Sequence, residues 1–130
     1  MGRRPPRPLT LDTGALIAFE KRGREVAVLV QRAKDAALPI VVPAGVVAQA
    51  CWSGYRQARL AALLGSRDAR IETLTALRAR AVGELCGRSG ATDIVDASVV
   101  LAARQYGGLV ATSDPDDLRQ IDPALPVVGV

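Results

Sequence analysis

Carboxylates are gathered unevenly along this 130-residue chain. Asp12 is the only charged residue between Arg7 and Glu20, inside the otherwise apolar or small stretch LTLDTGALIAF, residues 9–19. Six of the thirteen acids fall between residues 93 and 122, and all six are Asp. Asp93 and Asp96 stand three apart, a spacing that shares one helix face. Asp114, Asp116 and Asp117 crowd the stretch SDPDD. Short carboxylates offered by separate segments suit Mg²⁺ or Mn²⁺, hard ions that take oxygen ligands in near-octahedral array and keep several waters. Histidine is absent, which excludes Ser-His and Cys-His nucleophiles and the H-E-x-x-H zinc site. Cys51 and Cys86 form no CxxC, so free thiols are expected rather than a disulfide framework. Chemistry here must run on carboxylates, hydroxyls, backbone and a metal.

Each acid also has a plainer explanation. Asp114-Pro115-Asp116-Asp117 reads as a helix start, with Asp as N-cap, Pro at the first position and acids in the first turn. Asp93 could serve a helix dipole in the same way, and Asp12 could cap the helix that follows it. Asp96 is harder to explain so, because it precedes ASVVLAA on a helix apolar enough to be largely buried. An unpaired charge there costs several kcal/mol. The coincidence of all these acids raises the odds that they form a cluster holding a metal ion.

The elements that must position them follow from periodicity. LTLD, PIVVP, RIETL, LVATS and LPVVGV read as short strands. Between them lie helical stretches: TGALIAFEKRG stopping at Gly23, REVAVLVQRAKDAAL with apolar positions Val26, Leu29, Val30, Ala33 and Ala37, and AGVVAQACWSG ending at Gly54. Further on come YRQARLAALLG, a helix capped by Thr75, a long helix starting near Thr92 and ending at Gly107, and DPDDLRQI. Strands separated by helices predict a parallel sheet covered on both faces. Ligands of such sheets bind outside the carboxyl ends of the strands, where Asp12 and Asp114 stand. One domain over residues 9–130 is expected, preceded by a basic, proline-rich arm over 1–8.

A net charge of +4, carried by fifteen Arg and two Lys, suits a polyanion partner. With four aromatics, a base-stacking platform is not expected, and phosphate contacts should dominate. Arg56, Arg59, Arg78, Arg80 and Arg88 are candidates to receive a polyanion. No apolar run approaches the roughly 18 to 20 residues of a membrane span, and no h-region follows the basic start, so a cytoplasmic protein is expected. Trp52, Tyr55, Leu60, Leu63 and Leu64, on two successive helical stretches between Val46 and Leu64, suggest a dimer or partner surface.

Four segments resemble the PIN domain, specifically the small VapC-type ribonuclease toxins of toxin–antitoxin pairs. They are LTLDTGALIAF, PIVVPAGVVAQACWSG, DIVDASVVLAA and LVATSDPDDL, the last two carrying Asp96 and Asp114 as the matching acids. The resemblance runs from residue 9 to 130. It implies a three-layer α/β/α sandwich with a five-stranded parallel sheet in order 3-2-1-4-5, so that Asp12 and Asp114 meet where strand order reverses. It further implies an endoribonuclease using Mg²⁺ or Mn²⁺ held by Asp12, Asp96 and Asp114, a small antitoxin partner, and a homodimer. One departure stands out. The family usually carries Glu on the helix after its second strand, and Gln49 occupies that position. Glutamine adds no charge and weakens the expected hold on a second ion. Asp93 or Asp117 is the expected auxiliary acid, and Thr13 or Thr112 the expected support for metal ligands. Two alternatives remain: a catalytically impaired binding module of the same fold, and a phospho-receiver or phosphatase with Asp12 as acceptor. Against the latter, the chain lacks a D-x-D at Asp12-Thr13-Gly14 and a lysine near its last strand.

Overall fold

A computed structural model describes residues 6–51 and 57–130. The chain runs β1 (Leu9–Leu11), α1 (Thr13–Glu20), α2 (Arg24–Asp35), β2 (Ile40–Pro43), α3 (Ala44–Ala50), α4 (Ala58–Leu64) and β3 (Ala69–Glu72). It continues through α5 (Ala76–Ser89), α6 (Ile94–Tyr106), β4 (Leu109–Thr112), α7 (Pro115–Ile121) and β5 (Val127–Gly129). All strand pairs are parallel, and the sheet order is β3-β2-β1-β4-β5.

The strand sequences explain that order. β1 and β2 are buried at every position, as unbroken apolar strands between two helical layers must be. β3, ARIE, alternates charge with apolar residues, is half-exposed, and takes one edge. Helices α2, α3 and α4 pack on α1, while α5, α6 and α7 pack on one another, and α6 crosses β2, β1 and β4. Leu11, Leu16, Ile40, Leu60 and Leu118 are among the largest fully buried side chains. Each contributes roughly 1.5–3 kcal/mol by leaving water, and truncating one to Ala costs about 2–5 kcal/mol.

Several sequence expectations shift locally. Helix α1 ends at Glu20 rather than Gly23. Lys21 caps it, Arg22 turns into the left-handed region at φ 62°, and Gly23 becomes the N-cap of α2. The Gly23 N–H donates to the Ala18 carbonyl at 2.8 Å, which closes the turn. Ala37, expected on the inner face of α2, lies beyond its end, exposed, at φ 55°. Helix α3 stops at Ala50 with Cys51 as C-cap, short of Gly54. Leu60 and Leu63 belong to the chain's own core and present nothing to a partner, and Leu64 packs partly against that core. Trp52, Tyr55 and Arg56 lie outside the described residues. Other boundaries agree with expectation: Thr75 caps α5, and α5 and α6 end at Gly90 and Gly107 with φ of 77° and 71°, a conformation glycine reaches without cost. At the end of the expected arm, the Pro8 carbonyl accepts the Leu109 N–H at 2.9 Å, so residue 8 is tied to the sheet.

Candidate functional site

Strands β1 and β4 are neighbours in register Leu11↔Ala111, so the residues after each reach the same edge. Asp12 continues β1 by donating its N–H to the Ala111 carbonyl at 3.2 Å, then caps α1. The residue is 6% exposed, and both carboxylate oxygens are held by uncharged donors. Oδ1 accepts the Ala15 N–H at 2.8 Å, and Oδ2 accepts the Thr112 hydroxyl. The Ser113 backbone also donates to this carboxylate. Thr112 Oγ1 in turn accepts the Asp114 N–H at 2.8 Å. One buried hydroxyl therefore ties the acid after β1 to the loop that carries the acid after β4. Gly14 makes this approach possible, since a Cβ there would fall 1.8 Å from Ser113 Oγ and 2.5 Å from Ser113 Cβ. A side chain at position 14 would push the loop away from Asp12.

Burial raises the Asp12 pKa above its ordinary value; the three hydrogen bonds oppose this, and the nearby Asp114 charge adds to it. Asp96, half-buried in the first turn of α6, is raised to about 6. Burial is the largest cause, followed by the charges of Asp93, Asp117, Asp12 and Asp114. Acids from three separate segments thus act on one carboxyl group. None of these five takes part in an ion pair with another described residue. Asp116 and Asp122, by contrast, face Arg119 at 3.7 Å and Arg104 at 3.0 Å.

The capping explanation holds for one acid and fails for another. Asp93 Oδ1 accepts the N–H groups of Val95 at 2.9 Å and Asp96 at 3.1 Å, an N-cap. Asp114 occupies the N-cap position of α7, but its side chain caps nothing. It is hydrogen-bonded to the Asp117 carboxyl, which raises the pKa of Asp117. Asp93, Asp96 and Asp117 line one side of a cavity of about 220 Å³ together with Thr92, Ser89 and Gln120. As they stand, no three His, Cys, Asp or Glu side chains among the described residues are close enough to hold an ion.

Helix α3, AGVVAQA, carries no charged residue. Gln49, exposed on α3, accepts the Thr13 hydroxyl through Oε1 at 2.6 Å. Thr112 therefore supports an acid as expected, whereas Thr13 supports Gln49. Helix α3 reaches this place because Gly45 has no Cβ; one there would stand 3.3 Å from Val95 in the first turn of α6. Two expected arginines are engaged elsewhere. Arg59 bonds the Phe19 carbonyl at 3.0 Å and stacks on its ring, and Arg78 pairs with Glu72 and Gln105. Arg80 and Arg88 are exposed on α5. Sequence reasoning missed Gly14 and the Ser113 N–H. A glycine two residues after an acid, at a strand-to-helix junction, was the available signal.

The model of the PIN domain family matches residues 9–123. The chain belongs to the PIN domain family. PIN domains are generally nucleases, and they typically use divalent metal ions, so membership suggests a nuclease-type function and RNA binding for this PIN domain. A search among curated proteins returned no match. No helix of the described residues is long and apolar enough to cross a membrane.

Proposed function

We propose that this PIN domain is a divalent-metal-dependent endoribonuclease, the toxin of a toxin–antitoxin pair, with Asp12, Asp96 and Asp114 as the ligands of Mg²⁺ or Mn²⁺. The observation that carries the proposal is Asp96. Four other acids, none with a cation beside it among the described residues, act on a half-buried carboxyl and raise it to about 6. A fold that gathers like charges in this way is completed by a bound cation. The donor set fits that role: it is all oxygen, short, and presented at the open end of the sheet. The present separations leave the acids to draw together around an ion.

When bound, such an ion supplies Lewis-acid activation of water and neutralises charge developing on the phosphate. The chain's residues do the rest. Asp12 is fixed by Ala15 and Thr112, so it offers a rigid anchor. Asp93 and Asp117 stand on the cavity wall beside Asp96, where they orient the attacking water. Arg80 and Arg88 supply positive charge for the RNA backbone. A small antitoxin and a second copy of the chain complete the proposed assembly, in keeping with the resemblance to VapC-type toxins.

The test is cleavage of total cellular RNA with Mg²⁺ or Mn²⁺ by the native chain, by Asp12→Asn and by Asp96→Asn. Undiminished cleavage by either variant would falsify the proposal. Gln49 and the open spacing of the acids favour one second reading, a PIN-fold module impaired in catalysis that acts by binding antitoxin or RNA. Calorimetric titration with Mn²⁺ separates the two, since the module takes up no ion.

A further inference from the structure

We infer that Gln49 is a substrate-contacting residue, whose side-chain amide donates to a phosphate oxygen of the RNA from the uncharged helix α3. This rests on the ribonuclease reading, and it assigns Gln49 to the RNA rather than to the metal.

Three observations carry it. First, the Gln49 carbonyl oxygen already accepts the Thr13 hydroxyl at 2.6 Å. Thr13 adjoins Asp12 in sequence, so the hydrogen bond fixes the amide next to the buried acid. In this arrangement the amide oxygen is engaged by Thr13 and the N–H donors form the other end of the side chain. Second, the Nε2 group then points away from Thr13 with two N–H donors. Among the described residues it makes no hydrogen bond, and Gln49 is exposed. Third, the five carboxylates belong to β1, α6 and the start of α7, whereas α3 brings no acid. Gly45 and Gln49 are four apart on α3 and share a face, and Gly45 abuts Val95 in the first turn of α6. Gln49 therefore stands about one helical turn along α3 from the contact with Val95, the residue that precedes Asp96.

A phosphodiester approaching the acids meets repulsion from Asp93, Asp96, Asp114 and Asp117. Its non-bridging oxygens need donors, which carboxylates do not provide. Neutral side-chain amides are ordinary phosphate donors and fix register without reading sequence. A carboxylate at position 49 could accept from Thr13 equally well, but it could not donate to the phosphate. The amide is thus the chemically informative half of this residue.

The experiment uses the full chain and a fluorescein-labelled single-stranded RNA of mixed sequence, with anisotropy measured in EDTA so that neither metal nor cleavage contributes. Gln49→Ala is expected to bind about 10-fold more weakly than the native chain, in line with loss of one hydrogen bond to a charged group. Gln49→Glu is expected to bind more weakly still. In parallel, Mn²⁺ titration by calorimetry is expected to give Gln49→Ala the same affinity as the native chain. Position 49 is exposed, and circular dichroism checks that both variants are folded. Unchanged RNA binding in both variants, absence of RNA binding by the native chain, or a selective loss of Mn²⁺ affinity in Gln49→Ala overturns the inference. Failure of the native chain to take up Mn²⁺ while Gln49→Ala still weakens RNA binding overturns the metal-dependent reading and leaves the RNA contact standing.

Discussion

Two acids at the same edge of the sheet are treated in opposite ways. Glu72 ends β3, and its carboxylate is met by the Arg78 guanidinium and, at 3.1 Å, by the Tyr106 hydroxyl. Arg78 is itself held by Gln105. Asp12 follows β1, is more deeply buried, and receives only neutral donors from Ala15, Thr112 and Ser113. The Asp114 charge lies near it, and Asp12 is itself one of four acids that act on Asp96. For Glu72 the chain supplies a counter-charge six residues away. At the ends of β1 and β4, no Lys or Arg among the described residues pairs with the acids.

The sharpest way to break this contrast is to remove charge from the site. Asp12→Asn is expected to lower RNA cleavage by on the order of 100-fold or more, because the amide keeps the shape but not the charge that holds an ion. Native cleavage by that variant would place Asp12 with Glu72 as architecture. Next in size is Gly14→Ala. Its Cβ would collide with Ser113, so cleavage should fall by roughly 10-fold, as a 1 Å misplacement can cost that or more. A variant as active as the native chain would show that the close approach is not needed.

The same acid-to-amide change should act with opposite sign at the two places. Glu72→Gln is expected to destabilise the metal-free protein by about 1 kcal/mol, since a half-buried pair with Arg78 loses its charge. Asp96→Asn is expected to raise the melting temperature of the metal-free protein by relieving repulsion. Thermal unfolding in EDTA reads both, and shifts of the same sign would undo the comparison.

The smallest effect is pH dependence. Asp96 holds its proton more tightly in the folded state, at about 6, than at its ordinary 3.8. Its protonation therefore contributes stability fully below about pH 4, and that contribution is lost as pH rises through about 6. Asp12 is raised as well and acts in the same direction. No histidine titrates in this window. The melting temperature in EDTA should fall by about 3 °C between pH 5 and pH 7.5. With Mn²⁺ present the trend should reverse, because an ion competes with protons for the same oxygens. A flat profile in both conditions would leave the acids uncoupled.

Much of this was legible in the residues. The short run LTL at Leu9–Leu11 and the unbroken apolar run at Ile40–Pro43 marked buried parallel strands, and Asp12 and Asp114 stood out as acids placed where such strands end. The capping roles were not legible. Asp93 and Asp114 each precede a helix in good capping sequence, yet Asp93 caps and Asp114 does not. The difference lies in Asp117 and Thr112, which engage the Asp114 carboxyl and N–H from the next turn and from the preceding strand. The arginines were equally ambiguous: Arg59 and Arg78 look like Arg80 and Arg88 in sequence, but partners 40 and 6 residues away hold the first two side chains.

By itself the sequence determined the elements, the parallel covered sheet and the identity of the acids, because hydrophobic periodicity and residue chemistry are local properties. Only the tertiary structure decided that Thr112 would join Asp12 to the Asp114 loop, that Asp96 would feel four other carboxyls, and that Thr13 would turn the Gln49 carbonyl inward. Those outcomes depend on distances between segments up to 100 residues apart, and electrostatic energy is set by separation and burial, neither of which is written along the chain.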